Sequence, residues 1–267
     1  ESYPVDNNLN TSHENREKDI DLDQNKLRGD LENTIPLAAE YGLTENLSDP
    51  YQVSDTSIQL NNRNYSSEIV VDQNDNIHIV WVNKTLENPP SAVMYRKFYY
   101  NNQSWGPIIN ISKYDNPNNF EDLEPDIAVS NDSKAYVVWR RNNYQIGREI
   151  YFATIEGNSI TNHYRLSSDA SLGFNSEKHP CIEIQDNGNI AVLSRYIGKE
   201  GEEAVEETLI HARIHYASES YGSVSTWEGP YDLTGAFDSG YSGSLVFGKV
   251  EGFWDKFNDL HVAIRVR

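Results

Sequence analysis

Apolar and polar positions alternate in short runs along this chain, and between residues 66 and 112 they form a unit that recurs. Ile69-Val70-Val71 is followed by Asp72-Gln73-Asn74-Asp75-Asn76, which tolerate left-handed turns, and then by Ile77-His78-Ile79-Val80-Trp81. A β-branched run, a turn-forming pentapeptide and a second β-branched and aromatic run predict a hairpin. Residues 93–99 and 108–111 supply two more strand-like segments, so the unit carries four strands.

The hairpin returns as 126–129 with 135–139 and as 181–184 with 189–193. A last copy pairs 245–247 with 260–264 across a longer turn. An outer pair recurs beside it, as an aromatic residue or Ile followed seven positions later by Ser or Thr: Tyr41 to Ser48, Trp105 to Ser112, Ile160 to Ser167 and Trp227 to Thr234. The chain therefore starts with an outer pair and finishes with an inner hairpin. Four-stranded sheets of this kind stack radially and close. The expectation is an all-β fold, a β-propeller of four blades of four antiparallel strands, closed by N-terminal strands (34–48) that complete the C-terminal blade. Residues 34–267 form that domain. Residues 1–33 are acidic, lack periodicity and read as an extended or disordered N-terminal segment. Donation of the first outer pair to a neighbouring copy would instead give a homo-oligomer by strand exchange, the structural subunit of an extracellular filament or surface layer.

Charge narrows the function classes. Lys+Arg number 22 against Asp+Glu 41, a formal net charge of -19, which repels phosphate backbones and anionic lipid and argues against nucleic-acid partners. No apolar run of membrane-spanning length occurs, so no membrane insertion is expected. Cys181 is the only cysteine, excluding an intramolecular disulfide and a thiolate metal site. N-x-Ser/Thr sequons at Asn10, Asn46, Asn64, Asn83, Asn102, Asn110 and Asn131 predict glycosylation and an extracellular or cell-surface location. No cofactor is expected. Asp72, Asp75, Asp132 and Asp186 recur at hairpin turns, where turn formation explains them and a weak Ca²⁺ site is the alternative. Asp19, Asp21 and Asp23 alternate as in a calcium loop, but Lys26 stands where that loop needs glycine.

Pro125-Asp126-Ile127-Ala128-Val129 through Trp139, with Glu149-Ile150-Tyr151-Phe152-Ala153, resembles the sialidase-type (BNR, Asp-box) propeller repeats of secreted proteins. Ser218-Glu219-Ser220-Tyr221-Gly222 with Trp227 is similar to a degenerate Asp-box. The resemblance covers about residues 34–267 and implies the propeller fold. The family's Arg-Ile-Pro element is absent, so no catalytic residue is carried over. The sequence therefore points to a non-catalytic propeller binding glycans or proteins on a surface, with a sialidase-like glycosidase or polysaccharide lyase as the alternative.

Aligning the copies places Val82, Arg140, Arg195 and Arg265 at one position, just past the second strand's apolar core. Three guanidinium groups at the loop-bearing end would suit an acidic sugar or another small anion, the alternative being that each Arg pairs with Glu124, Asp126 or Glu183. His179, entering an inner strand, is within reach of the same place. Phe253 and Trp254, read as part of the long final turn, are candidates for stacking on sugar. His78 and His261 occupy equivalent places in the second strand and read as packed or edge residues rather than ligands, and His211 and His215, four apart in a strand, lie about 13 Å from each other, too far to share a metal.

Overall fold

The computed structural model describes residues 53–54, 62–85, 91–112, 120–143, 147–167, 176–200, 205–234, 247–257 and 259–266, without the side chains of 62, 63, 85, 198–200, 205–208, 247–249, 265 and 266. The chain divides into two units, 1–51 and 52–267, and every described residue belongs to the second. The outer pair expected at 34–48, the acidic alternation at 19–23 and the sequons at Asn10 and Asn46 lie outside the described residues.

The described elements are strands joined by turns and short 3-10 segments. The first sheet holds β1 (Asn62–Val71), β2 (Ile77–Thr85) and β3 (Ser91–Tyr99), with an outer strand broken into β4 (Ser104–Trp105) and β5 (Ile109–Asn110). Gly106-Pro107 falls in that break, and proline cannot donate to the ladder. The second runs through β6 (Phe120–Val129), β7 (Ala135–Asn143), β8 (Gly147–Glu156) and β9 (Ser159–Arg165); the third through β10 (Ser176–Ile184), β11 (Ile190–Glu200), β12 (Val205–His215) and β13 (Trp227–Asp232). All neighbours within a sheet are antiparallel, and one parallel bridge, Ser176 opposite Arg148, joins the second to the third. β14 (Phe247–Trp254) and β15 (Leu260–Val266) form a separate hairpin.

Turn chemistry sets the register of the first and last hairpins. Asp72 Oδ1 accepts the backbone N–H of Asn74 and Asn76 at 2.9 and 3.0 Å, and Asp255 Oδ1 accepts those of Phe257 and Asp259 at 2.8 and 3.0 Å. His78 and His261 each place Nε2 against the same aspartate, at 3.1 and 3.0 Å. The last turn is therefore as short as the first, and the longer turn expected from the sequence is corrected. Residues 251–254 continue the strand. Gly252 looks like a breaker, yet a Cβ there would lie 2.7 Å from Leu193 Cδ1, so glycine allows β14 to approach β11 closely.

Alternation along the first strand of each sheet produces the cores between sheets. Val70 packs with Ile127 and Val129, Ala128 with Ile182 and Ile184, and Cys181 with Val250. Each strand offers one face to the preceding sheet and the other to the following one. Trp139, Phe152, Ile150 and Leu193 are fully buried, each contributing about 1.5–3 kcal/mol. The outward faces stay open, with Ile69, Val71 and Phe253 exposed.

Two carboxylates in equivalent places are buried with guanidinium partners. Asp122 takes Arg141 Nε at 2.7 Å, Arg141 Nη2 at 3.1 Å and Trp139 Nε1 at 3.0 Å. Glu177 takes Arg213 Nη1 and Nη2 at 2.9 and 2.6 Å. Asp122 is 4% and Arg141 1% exposed, so removing one partner strands a buried charge. Asp122→Ala is expected to lower the urea unfolding free energy by about 3 kcal/mol, against less than about 1 kcal/mol for Lys134→Ala in the more open Lys134–Glu156 pair.

Candidate functional site

The first strand of every sheet carries a one-residue bulge near its start. The pairing shifts between Tyr65 and Glu68, Leu123 and Asp126, Lys178 and Cys181, and Phe247 and Val250. Three bulges put a non-glycine residue in the left-handed region: Ser66 at φ 54, Glu124 at 53 and His179 at 50. Proline follows two of these, at Pro125 and Pro180, although a pre-proline residue prefers extended backbone. Such strain costs about 1–3 kcal/mol per residue and persists only where the surroundings enforce it.

The bulge on β6 turns Glu124 across to β10. Glu124 Oε2 accepts the backbone N–H of His179 at 2.9 Å, while Oε1 sits 3.4 Å from His179 Nδ1 and 3.2 Å from Arg140 Nη1. Asp126 Oδ2 accepts the Ile182 N–H at 2.8 Å. Lys178 pairs directly opposite Arg195, a like-charge cross-strand pair with Glu124 acting on Lys178. Arg148 donates from Nη1 to Ser176 Oγ at 3.0 Å, beside the bridge between sheets.

Positive charge prevails here. Burial pushes the Lys178 ammonium down, and Arg148, Arg195 and Arg140 push it further. Burial lowers His179 too; Glu124 opposes this, and Arg140, Arg195 and Lys178 reinforce it. Arg140 is lowered by burial, against the larger pull of Glu124 and that of Glu121, with Arg148 adding to the fall. Burial is thus the largest cause of all three shifts.

Arg140, Arg195 and His179 are thus brought near one another, His179 in β10 itself rather than in a loop before it. Arg265 lies in β15, with its side chain outside the described residues. The pairing alternative holds for Arg140, which meets Glu124, whereas Asp126 serves a backbone N–H. Burial, with Asp126 and Glu251 nearby, pushes Glu183 up to about 7. Phe253 and Trp254 are strand residues, not turn residues. Phe253 takes the place of Val70, is exposed because no described sheet covers that face, and stacks on His261 at 4.8 Å. His211 bonds Glu177, and His215 stacks on Tyr221. The sequence reading missed Lys178, Arg148 and the orienting role of Glu124. Two depend on partners in other strands, but the bulge motif of a polar residue before Pro-x-Ile was visible at both Glu124 and His179.

Asn102 and Asn131 are exposed and Asn64 largely so, while Asn83 and Asn110 are half-buried. Asp72, the first expected calcium aspartate, is occupied by its turn, by His78 and by Lys97. Among the described residues no three metal-ligating side chains converge, and no helix is long and apolar enough to cross a membrane.

No protein-family model matches the sequence, and no curated protein is significantly similar to it. Solved structures do share its fold. An α-L-arabinanase of Penicillium chrysogenum, complexed with arabinobiose, superposes with a TM-score of 0.53 at 10% identity over 76% of this chain and 61% of that one. The GH93 α-L-arabinofuranosidase of Fusarium graminearum, also with arabinobiose, gives 0.50 at 9% identity over 79% and 61%. A protein of unknown function from Dyadobacter fermentans gives 0.54 at 10% identity over 78% and 64%. The likeness is one of fold. The chain is all-β, similar to these β-propeller glycosidases, and spans about three fifths of the arabinanase's length.

Glu183 supplies a test of the electrostatics around the inner strands. Its folded value lies above the ordinary 4.5, so its ionisation opposes folding, and the penalty grows as pH rises from about 4.5 to above 7. Glu183→Gln is expected to be more stable than the parent at pH 8 by about 1 kcal/mol after allowing for partial solvation. In urea unfolding the advantage should vanish below pH 4.5.

Proposed function

We propose that this protein is a carbohydrate-active β-propeller that takes hold of the acid group of a glycan at the Arg140, Lys178, His179 and Arg195 cluster and cleaves the chain as a glycosidase or lyase. The observation that carries this is that Arg140, Arg148, Lys178 and Arg195 gather about Glu124, with Glu121 the other carboxylate acting on Arg140, in a molecule of net charge -19. Arginine forks match carboxylate geometry, and a partly desolvated site strengthens the match. The shared fold with an arabinanase and an arabinofuranosidase favours enzyme over adhesin. Two features support the propeller. The same face meets the next sheet at each described interface, and by that rule Phe253 of the last sheet would face Ile69 and Val71 of the first in a closed ring. Exposed sequons at Asn102 and Asn131 suit an extracellular protein.

Calorimetry with an oligogalacturonate and a neutral arabino-oligosaccharide of equal length tests the reading. The acidic sugar should bind more tightly, more weakly as salt rises, and with Kd about tenfold higher for Arg140→Ala and for Lys178→Ala. Equal affinity for the neutral sugar, or variants that bind like the parent, would refute it.

A further inference from the structure

Resting on the reading that the cluster holds a glycan's acid group, we propose that the site cleaves uronate glycans by β-elimination, with His179 as the base that removes the proton on C5. Elimination makes two demands on a protein. The uronate carboxylate must be neutralised by fixed cations, because the C5 proton is acidic only when the negative charge developing beside the carboxylate is stabilised. A neutral base must also stand next to the cations, with a free lone pair pointed at substrate.

Both are present. Glu124 clamps His179 at two points, accepting its backbone N–H at 2.9 Å and facing Nδ1 at 3.4 Å. A carboxylate beside Nδ1 assigns the ring proton to that nitrogen and leaves the lone pair on Nε2. Nε2 has no partner among the described residues, and the side chain is 33% exposed. Its backbone is left-handed at φ 50, within the bulge of β10. Arg140 joins the same Glu124, and Lys178 and Arg195 face each other on β10 and β11. The groups that surround the imidazole are thus Glu124 from β6, Arg140 from β7, Lys178 from its own strand and Arg195 from β11. Burial first, and then Arg140, Arg195 and Lys178, disfavour its protonation against the pull of Glu124.

Hydrolysis fits less well. It needs a carboxylic acid and a second carboxylate flanking the bond, and the nearby carboxylates are engaged: Glu124 with His179 and Arg140, Glu121 with Lys84 and Asn142. Glu183 lies four residues further along β10, roughly 13 Å away. In the elimination, the C5 proton passes to Nε2 and the C5–H electron pair forms the C4–C5 double bond. The bond from C4 to the glycosidic oxygen breaks, and the departing oxygen takes a proton from water. His179 returns its proton to solvent. No water is consumed and no oxidant is needed.

The test incubates the full chain with oligogalacturonate, polyglucuronate and alginate, following the ultraviolet absorbance of the unsaturated uronate and the product masses. At least one substrate should yield an absorbing product lighter by one water than its hydrolytic counterpart. His179→Asn, which keeps a residue tolerant of the left-handed region, should lose about 10²–10⁴-fold in kcat, far more than its Kd for substrate rises. Added imidazole should restore part of the rate to His179→Gly, a recovery that a structural role would not show. Products that have gained water, or tight binding with no cleavage of any of the three, would overturn elimination while leaving acid-glycan recognition standing. Absence of binding to all three would overturn both. A His179→Asn rate close to the parent's would overturn the assignment of the base.

Discussion

One extra residue near the start of each first strand is the constraint on which the rest depends. Without the bulges at Glu124 and His179, β6 and β10 would continue as regular ladders, and their side chains would alternate only between the cores on either side. With them, Glu124 swings over the neighbouring strand to the His179 N–H, and the middles of β7 and β11 bring Arg140 and Arg195 to the same place. Strain at two pre-proline residues in the left-handed region is held by well-packed sheets beneath, where Trp139, Phe152 and Leu193 have no exposure. Site and core are therefore one design, in which inter-sheet packing enforces a backbone that an isolated strand would not adopt.

The electrostatics divide in the same way. Deeper arginines are neutralised: Arg141 by Asp122 and Arg213 by Glu177, in bidentate pairs that leave no field to spare. Nearer the bulges the balance reverses, since Glu124 faces several cations at once. On a surface dominated by carboxylates, a local gathering of positive charge is an exception. An acidic polymer would be repelled by most of this molecule and drawn to one place on it.

Much of this was legible in the sequence, and the gaps have physical causes. Hairpins at 69–81, 126–139 and 181–193 declared themselves through β-branched runs around Asp- and Asn-rich turns, and the outer positions Trp105, Ile160 and Trp227 through their spacing to Ser or Thr. Equivalence of Arg140 and Arg195 followed from aligning the copies. The last hairpin misled because Gly252 looks like a turn residue, when it answers a close approach by Leu193 that only the fold reveals. Phe253 reads as part of a turn rather than a strand for the same reason. Lys178 and Arg148 could not be found, because what matters about them is the strand opposite, and register across β10, β11 and β8 is not written in any local pattern.

The central claim is that the bulged strand ends build a seat for a sugar's carboxylate, and a crystal structure of the protein with bound trigalacturonate addresses it directly. The account predicts one uronate carboxylate between the Arg140 and Arg195 guanidinium groups, with its C5 facing His179 Nε2. A saccharide lying instead against Phe253 and His261, or one whose carboxylates all point to solvent, would contradict it.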